Sequence, residues 1–250
     1  MLIEFAGCSG TGKTTLAKRV MAELSNQKFD VAYSPDVMAR ATRTSWCKNE
    51  RIRNLLLNFV LLPRFVRMLL TYRSLFWFSF VRIFRQGRGV VERVSRIRSA
   101  MRLLTGDSIL RERTTRDQLT VVDEGVVGCI HNLFVFPYES TMPSDELICA
   151  YLNLAPLPDL LVLLDAPFDA VFERTEKRTD QPIRRGGECG RNKGFLGNGL
   201  AVFRKVSSHQ AFQSQVLCIE NRDNSFGGLD TLTTQIVDFV TAKINQYESA

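Results

Sequence analysis

The chain is 250 residues long, 45% apolar and 24% charged, with a formal net charge of +7. That length can bury a substantial core, and one α/β domain spanning residues 1–250 is the simplest expectation, two domains being the alternative. The six cysteines are scattered without a C-x-x-C pair or metal-ligand spacing, and no run of 18 residues is free of charge, so a disulfide scaffold, a zinc module and a simple membrane span are not expected.

No cleavable leader is expected ahead of the first apolar run, Leu2-Ile3-Glu4-Phe5-Ala6, and a reduced, cytoplasmic chain is the resulting expectation. That run leads into Gly7-Cys8-Ser9-Gly10-Thr11-Gly12-Lys13-Thr14, a full match to G-x-x-x-x-G-K-[ST]. Thr15 and apolar residues at 16, 17, 20, 21 and 24 follow at helical spacing. Strand, glycine loop and helix in succession form a phosphate cradle. Backbone amides from Gly7 to Thr15 would curl around a β-phosphate at the positive end of the helix. Lys13 would reach the β- and γ-phosphates, and the Thr14 hydroxyl would hold Mg²⁺. ATP and Mg²⁺ are the cofactors this loop implies.

A second strand is expected near Val31-Ala32-Tyr33-Ser34, stopped by Pro35. Asp36 stands just beyond it, a candidate helix N-cap. Arg40 and Arg43 are expected one turn apart on the next helix, able to grip an acceptor phosphate or simply solvated.

Residues 36–118 form a long basic insertion before the third strand, with 17 Arg and one Lys against six acids. A connection of that length requires structure of its own. Residues 64–86 project as one amphipathic helix with Arg73 as the exception, and a second amphipathic stretch follows with Val90, Val91, Val94, Ile97, Met101 and Leu104 on one stripe. Three roles compete for the 64–104 segment: an acceptor-side lid packed on the core, a peripheral contact with an anionic membrane surface, and a nucleic-acid footprint, the last least favoured for want of a reading module.

The third strand, Leu119-Thr120-Val121-Val122, ends in Asp123-Glu124-Gly125. Asp123 is placed to bind Mg²⁺ through water, or else to cap the helix expected over 125–136. Glu124 could polarise an attacking water, touch an acceptor or be solvated. His131, on that helix, is expected to be a satisfied helix residue. The fourth strand, Leu160-Leu161-Val162-Leu163-Leu164, ends at Asp165-Ala166-Pro167, and the fifth is Gln215-Val216-Leu217-Cys218-Ile219. Helices are expected at 168–178, 199–212 and 229–246. Apolar strands alternating with helices predict a parallel sheet covered on both faces. Arg174 precedes an arginine- and glycine-rich stretch at about 178–194, expected as a lid whose Arg178 and Arg184 are the preferred groups for stabilising a transferring phosphoryl in cis, a solvated basic loop being the alternative.

With these pieces in place, the chain resembles the thymidylate kinase-like and deoxynucleoside kinase-like branch of the P-loop nucleoside monophosphate kinase family. The likeness rests on Ile3-Glu4-Phe5-Ala6-Gly7 leading into Gly12-Lys13-Thr14-Thr15, the Asp123 strand end, Leu163-Leu164-Asp165-Ala166-Pro167 with Phe172-Glu173-Arg174 and Lys177-Arg178, and the arginine lid. It covers roughly residues 1–35 and 119–246. It implies a P-loop three-layer αβα fold with a five-stranded parallel sheet, ATP and Mg²⁺ as donor, and γ-phosphoryl transfer to a nucleotide or nucleoside, with Asp36 at the tip of the second strand where nucleoside kinases of this branch place the carboxylate that takes the hydroxyl proton.

The departures lie on the acceptor side: Ser9 replaces the family's Asp, Asp123-Glu124 its Asp-Arg, and His131-Asn132 its Tyr-Gln. The expectation is therefore a kinase of a small-molecule phosphoryl acceptor, with Lys13, Arg178, Arg184, Asp36 and Glu124 as catalytic candidates. A P-loop ATPase or switch using Asp123-Glu124 for hydrolysis is the alternative. A homo-oligomer is left open.

Overall fold

Five short strands build the centre of the molecule: β1 (Leu2–Gly7), β2 (Asp30–Tyr33), β3 (Gln118–Val122), β4 (Leu160–Asp165) and β5 (Val216–Glu220). They lie in the order β2-β3-β1-β4-β5, and every neighbouring pair is parallel. This is a computed structural model, and it describes residues 1–43, 50–87, 89–115, 118–136, 142–177, 189–212, 215–222 and 225–248, with the backbone alone at 50–60, 189–192, 211, 226 and 248.

β4 explains why the central strands read as unbroken apolar runs. Leu160, Val162 and Leu164 face one apolar cluster with Ile3, Phe5 and Val121, while Leu161 and Leu163 face another with Ile130 and Phe203. Side chains alternate across a strand, so a sheet covered on both faces needs apolar residues at every position. Helices α1 (Lys13–Asn26) and α10 (Phe226–Glu248) cover the first face through Leu16, Val20, Ile236 and Val240. The second face carries α6 (Cys129–Phe134), α7 (Asp145–Leu154), α8 (Phe168–Glu176) and α9 (Cys189–Ser207). The result is the expected three-layer αβα arrangement of a P-loop fold.

The stretch between β2 and β3 forms α2 (Ser34–Ala41), α3 (Glu50–Thr71), α4 (Arg73–Gln86) and α5 (Val90–Arg113). The single helix expected over 64–86 is broken at Tyr72, whose backbone leaves the helical region (φ −114°, ψ 46°). The break resets the helical phase, which accounts for Arg73 as the exception to one continuous stripe. It also turns Ser79 inward, its hydroxyl donating to the Leu75 carbonyl at 2.8 Å, and leaves Trp77 65% exposed. On α5 the apolar stripe buries Ala100, Leu104 and Leu110 but leaves Val90, Val91 and Val94 exposed at its start. Two arginines fasten the segment to the core. Arg96 donates to the Asn132 carbonyl at 2.6 Å and lies 3.8 Å from the Phe136 ring centroid. Arg111 pairs with Asp107 at 2.7 Å and also donates to the carbonyls of Pro156 and Leu157.

The strand boundaries fall within one residue of expectation. The helix expected over 125–136 is shorter, because Gly125–Gly128 make a turn first, and α7 lies where no helix was expected. The helix expected from 199 begins at Cys189. Among the described residues, no helix is long and apolar enough to cross a membrane.

Candidate active site

The glycine loop runs from the end of β1 into α1. Gly12 occupies the N-cap position with φ 96°, and Gly10 has φ 89°, both in the left-handed region that favours glycine. Loop geometry is fixed from within and from outside. The buried Thr11 hydroxyl donates to the Cys8 carbonyl at 2.9 Å, and Asn221, just past β5, donates from Nδ2 to the Thr11 carbonyl at 2.9 Å. Arg174 on α8 donates to the Gly10 carbonyl at 3.4 Å. It therefore braces the loop from α8.

Lys13 folds back over the cradle, its Nζ donating to the carbonyls of Gly7 at 2.9 Å and Cys8 at 3.0 Å. Gly7, Ser9, Gly10, Gly12, Lys13 and Thr14 all line a cavity of about 330 Å³, which Asp123, Glu124 and His131 also border. The Cys8 side chain is buried, and burial pushes its thiol up to about 11, so only its backbone is available to a ligand there. Thr15 is exposed on the first turn of α1, outside the cavity lining.

The two groups expected to serve a metal are in direct contact. Thr14 Oγ1 donates to Asp123 Oδ2 at 2.7 Å, although 109 residues separate them. The parallel pairing of β1 with β3 brings their carboxyl ends side by side and so sets that distance. The Tyr33 hydroxyl approaches the same oxygen at 3.4 Å. Burial, then the Asp123 charge, pushes the Tyr33 phenol up to about 12, which keeps it a donor. Asp123 Oδ1 is buried and has no hydrogen-bond partner among the described residues. An orphaned carboxylate oxygen beside a threonine hydroxyl fits a hard divalent cation such as Mg²⁺, which prefers oxygen ligands and keeps several waters. Asp123 is not a helix cap, since α6 starts at Cys129 after Gly128.

The fold is a three-layer αβα P-loop fold. Its parallel sheet, the glycine loop between β1 and α1, and the Thr14–Asp123 pair carry that description. No family model matches the sequence, and no curated protein matches it. Solved structures that overlap the chain include thymidylate kinase from Ehrlichia chaffeensis, at 13% identity over 96% of this chain and 98% of that one, with a TM-score of 0.49. A thymidylate kinase from Candida albicans overlaps at 12% identity, 98% and 92% coverage and a TM-score of 0.44. Shikimate kinase from Acinetobacter baumannii, in complex with shikimate, overlaps at 16% identity, 97% and 93% coverage and a TM-score of 0.42.

A second cavity of about 490 Å³ opens between α2, α5 and the carboxyl ends of β2 and β3. Tyr33, Asp36, Arg102, Asp107, Asp123 and Glu124 are among its lining residues. Asp36 lies exposed in the first turn of α2, not at its N-cap, which is Tyr33. Glu124 is exposed and borders both cavities. Arg40 is solvent-exposed, with its Nε directed to the Asp36 carbonyl at 3.4 Å. Arg43 falls beyond the end of α2 with φ 52°, so it does not share a helical face with Arg40. Arg178 and Arg184 lie outside the described residues, as do 178–188 of the expected lid.

His131 departs from the satisfied helix residue expected. Its Nε2 is buried without a hydrogen-bond partner among the described residues, and its ring stands edge-on to Phe195 at 4.9 Å. Burial, then Lys13 and Arg96, pushes it down to about 3, so it stays neutral at physiological pH.

Glu4 was passed over by motif reading. It is buried in β1, and its carboxylate accepts the backbone amides of Gly125 at 3.2 Å, Val127 at 3.2 Å and Gly128 at 2.7 Å. It thereby holds the turn that follows Asp123 and Glu124. The available signal was a lone acid inside an apolar strand, since a buried carboxylate needs compensating donors.

Proposed function

We propose that the protein is an ATP- and Mg²⁺-dependent phosphotransferase acting on a small-molecule acceptor held in the cavity between α2, α5 and the sheet edge. The observation that carries this reading is the Thr14–Asp123 contact, with one Asp123 oxygen buried and unpartnered at the mouth of the glycine loop.

Mg²⁺ bound there would neutralise charge on the β- and γ-phosphates. Thr14 and Asp123 would hold it. Lys13, now spent on two loop carbonyls, would exchange them for phosphate oxygens, while the loop amides and the α1 N-terminus orient the chain of phosphates. Asp36 and Glu124 are the carboxylates on the acceptor side, and either one within hydrogen-bond reach of the acceptor hydroxyl would take its proton. Arg178 and Arg184 complete the proposal as lid groups in cis.

Transfer of label from γ-labelled ATP, screened over nucleoside monophosphates, nucleosides, sugars and long-chain alcohols, tests the reaction. Lys13→Ala should abolish both ATP binding and transfer. A protein that neither binds ATP nor depends on Lys13 overturns the proposal. Glu124 bordering both cavities also supports hydrolysis as the competing chemistry. ATP turnover without acceptor, abolished by Glu124→Gln, would establish that instead.

The reading includes a cytoplasmic setting, in keeping with free thiols at Cys8, Cys129, Cys149 and Cys218. Exposed Leu70, Trp77, Val90 and Val91 in an arginine-rich segment favour contact with an anionic lipid surface as a property compatible with catalysis.

A further inference from the structure

An apolar groove of about 270 Å³ runs between α3 and α5. Leu61, Leu62 and Phe65 form one wall; Arg98, Met101 and Thr105 form the other, with Arg102 at the junction. The Thr105 hydroxyl is buried and directed at Met68 Sδ, 4.0 Å away, so it is not offered to a polar ligand, and arginine stems can lie along apolar surface of this kind. Leu62 stands 51% exposed at the groove, apolar surface that water covers poorly.

The groove and the acceptor cavity share Leu61 and Arg102, so the two spaces meet at those side chains. Their linings differ in kind. The cavity holds Asp36, Asp107, Asp123 and Glu124 against Arg102, its one guanidinium among the described residues. Asp107 is paired with Arg111, whose remaining donors are taken by the carbonyls of Pro156 and Leu157, so Arg111 cannot reach for an anion. Asp36 and Glu124, the exposed carboxylates of this lining, would repel a phosphorylated acceptor, whereas a hydroxyl meets acceptors for its proton.

We infer that the acceptor is an uncharged, hydroxyl-bearing amphiphile, its apolar chain lying in the α3–α5 groove and its hydroxyl entering the cavity beside Asp36 and Asp123. This rests on the phosphotransferase reading. In the step it completes, the acceptor oxygen forms a bond to the γ-phosphorus as the bond to the β,γ-bridging oxygen breaks. The electron pair leaves with ADP, and the hydroxyl proton passes to a cavity carboxylate and on to solvent.

The test uses the full chain and linear alcohols from butanol to dodecanol, with a pyrene-labelled dodecanol as the fluorescent probe. Affinity should rise with each methylene the groove buries, by up to about fourfold per methylene. Leu62→Glu should weaken probe binding at least tenfold with an unchanged melting curve, whereas Val66→Glu, also on α3 and 51% exposed but outside the groove lining, should not. Binding without chain-length dependence, or equal binding by the Leu62 variant, overturns the inference.

Fluorescent ATP is titrated in parallel. Loss of ATP binding would count against the phosphotransferase reading, and intact ATP binding with no alcohol binding against the amphiphile alone. Transfer to dodecanol below its solubility limit identifies a soluble acceptor. Transfer only when the alcohol is presented in phosphatidylcholine vesicles identifies a bilayer-borne one. Transfer in neither arm, or preferential transfer to thymidine monophosphate, refutes the assignment.

Discussion

Glu4→Gln isolates the energetic role of the buried carboxylate under the β3–α6 turn. Burial raises Glu4 from 4.5 to about 7, against the smaller opposing pull of three backbone amides. At about 1.4 kcal/mol per pKa unit, that difference is worth about 3 kcal/mol. The folded protein keeps a proton between pH 4.5 and 7 that the unfolded chain gives up. Its stabilising contribution is therefore complete below pH 4.5 and is lost as pH rises through 7.

His131 works in the opposite sense. Held down to about 3, it is neutral in the fold while the unfolded chain is still protonated, so its contribution grows from pH 3 to 6.5. The two slopes overlap, and the wild-type curve alone does not separate them. The difference between wild type and Glu4→Gln does, because His131 is common to both. Glutamine leaves one of the three amides facing an NH₂ group, a pH-independent offset of about 1 kcal/mol. Urea unfolding at each pH should thus show wild-type stability, measured relative to the variant, falling by about 3 kcal/mol from pH 4.5 to 8. A flat or rising difference would refute the reasoning.

Gly125→Ala should destabilise by about 1–3 kcal/mol, since a Cβ would sit 2.5 Å from Glu4 Oε2, on a carboxyl group that three amides together keep from retreating; an unchanged urea midpoint would mean the turn yields freely. Tyr151→Phe removes a 2.7 Å hydrogen bond to the buried Val126 carbonyl and should cost about 1–3 kcal/mol in the same assay. Asp123→Asn should weaken ATP binding at least tenfold in Mg²⁺ and far less in EDTA by titration calorimetry; equal losses would remove the metal from its role. Co-sedimentation with phosphatidylglycerol vesicles, weakened by salt and severalfold by Trp77→Glu, is the expected signature of lipid contact, and sedimentation indifferent to lipid charge would argue against it.

The glycine loop was legible in sequence because it is local. One octapeptide, preceded by an apolar run and followed by helical spacing, specifies a loop whose partners are mostly its own backbone. Asp123 was legible because strand ends in a parallel sheet converge on the same edge. Glu4 was not, since its donors are backbone amides more than 120 residues away, and amides leave no mark in residue identity. The break at Tyr72 was hidden for a related reason: periodicity measures phase within a helix and is blind to where phase is reset. Asn221 and Arg174 brace the glycine loop from beyond β5 and from α8, contacts that only the sheet order creates. The α3–α5 groove was concealed in the same way, because each helix alone shows only an apolar stripe.

Arg102 borders the glycine-loop cavity, the α2–α5 cavity and the apolar groove at once. Under the phosphotransferase proposal, its charge would serve the phosphates while its methylenes serve the apolar ligand, so a shift of that side chain toward one occupant would be felt by the other. Thermodynamic reciprocity then applies: whatever factor the first changes in the second's dissociation constant, the second returns. On that proposal, one side chain at a three-way junction would make donor and acceptor binding a single coupled equilibrium.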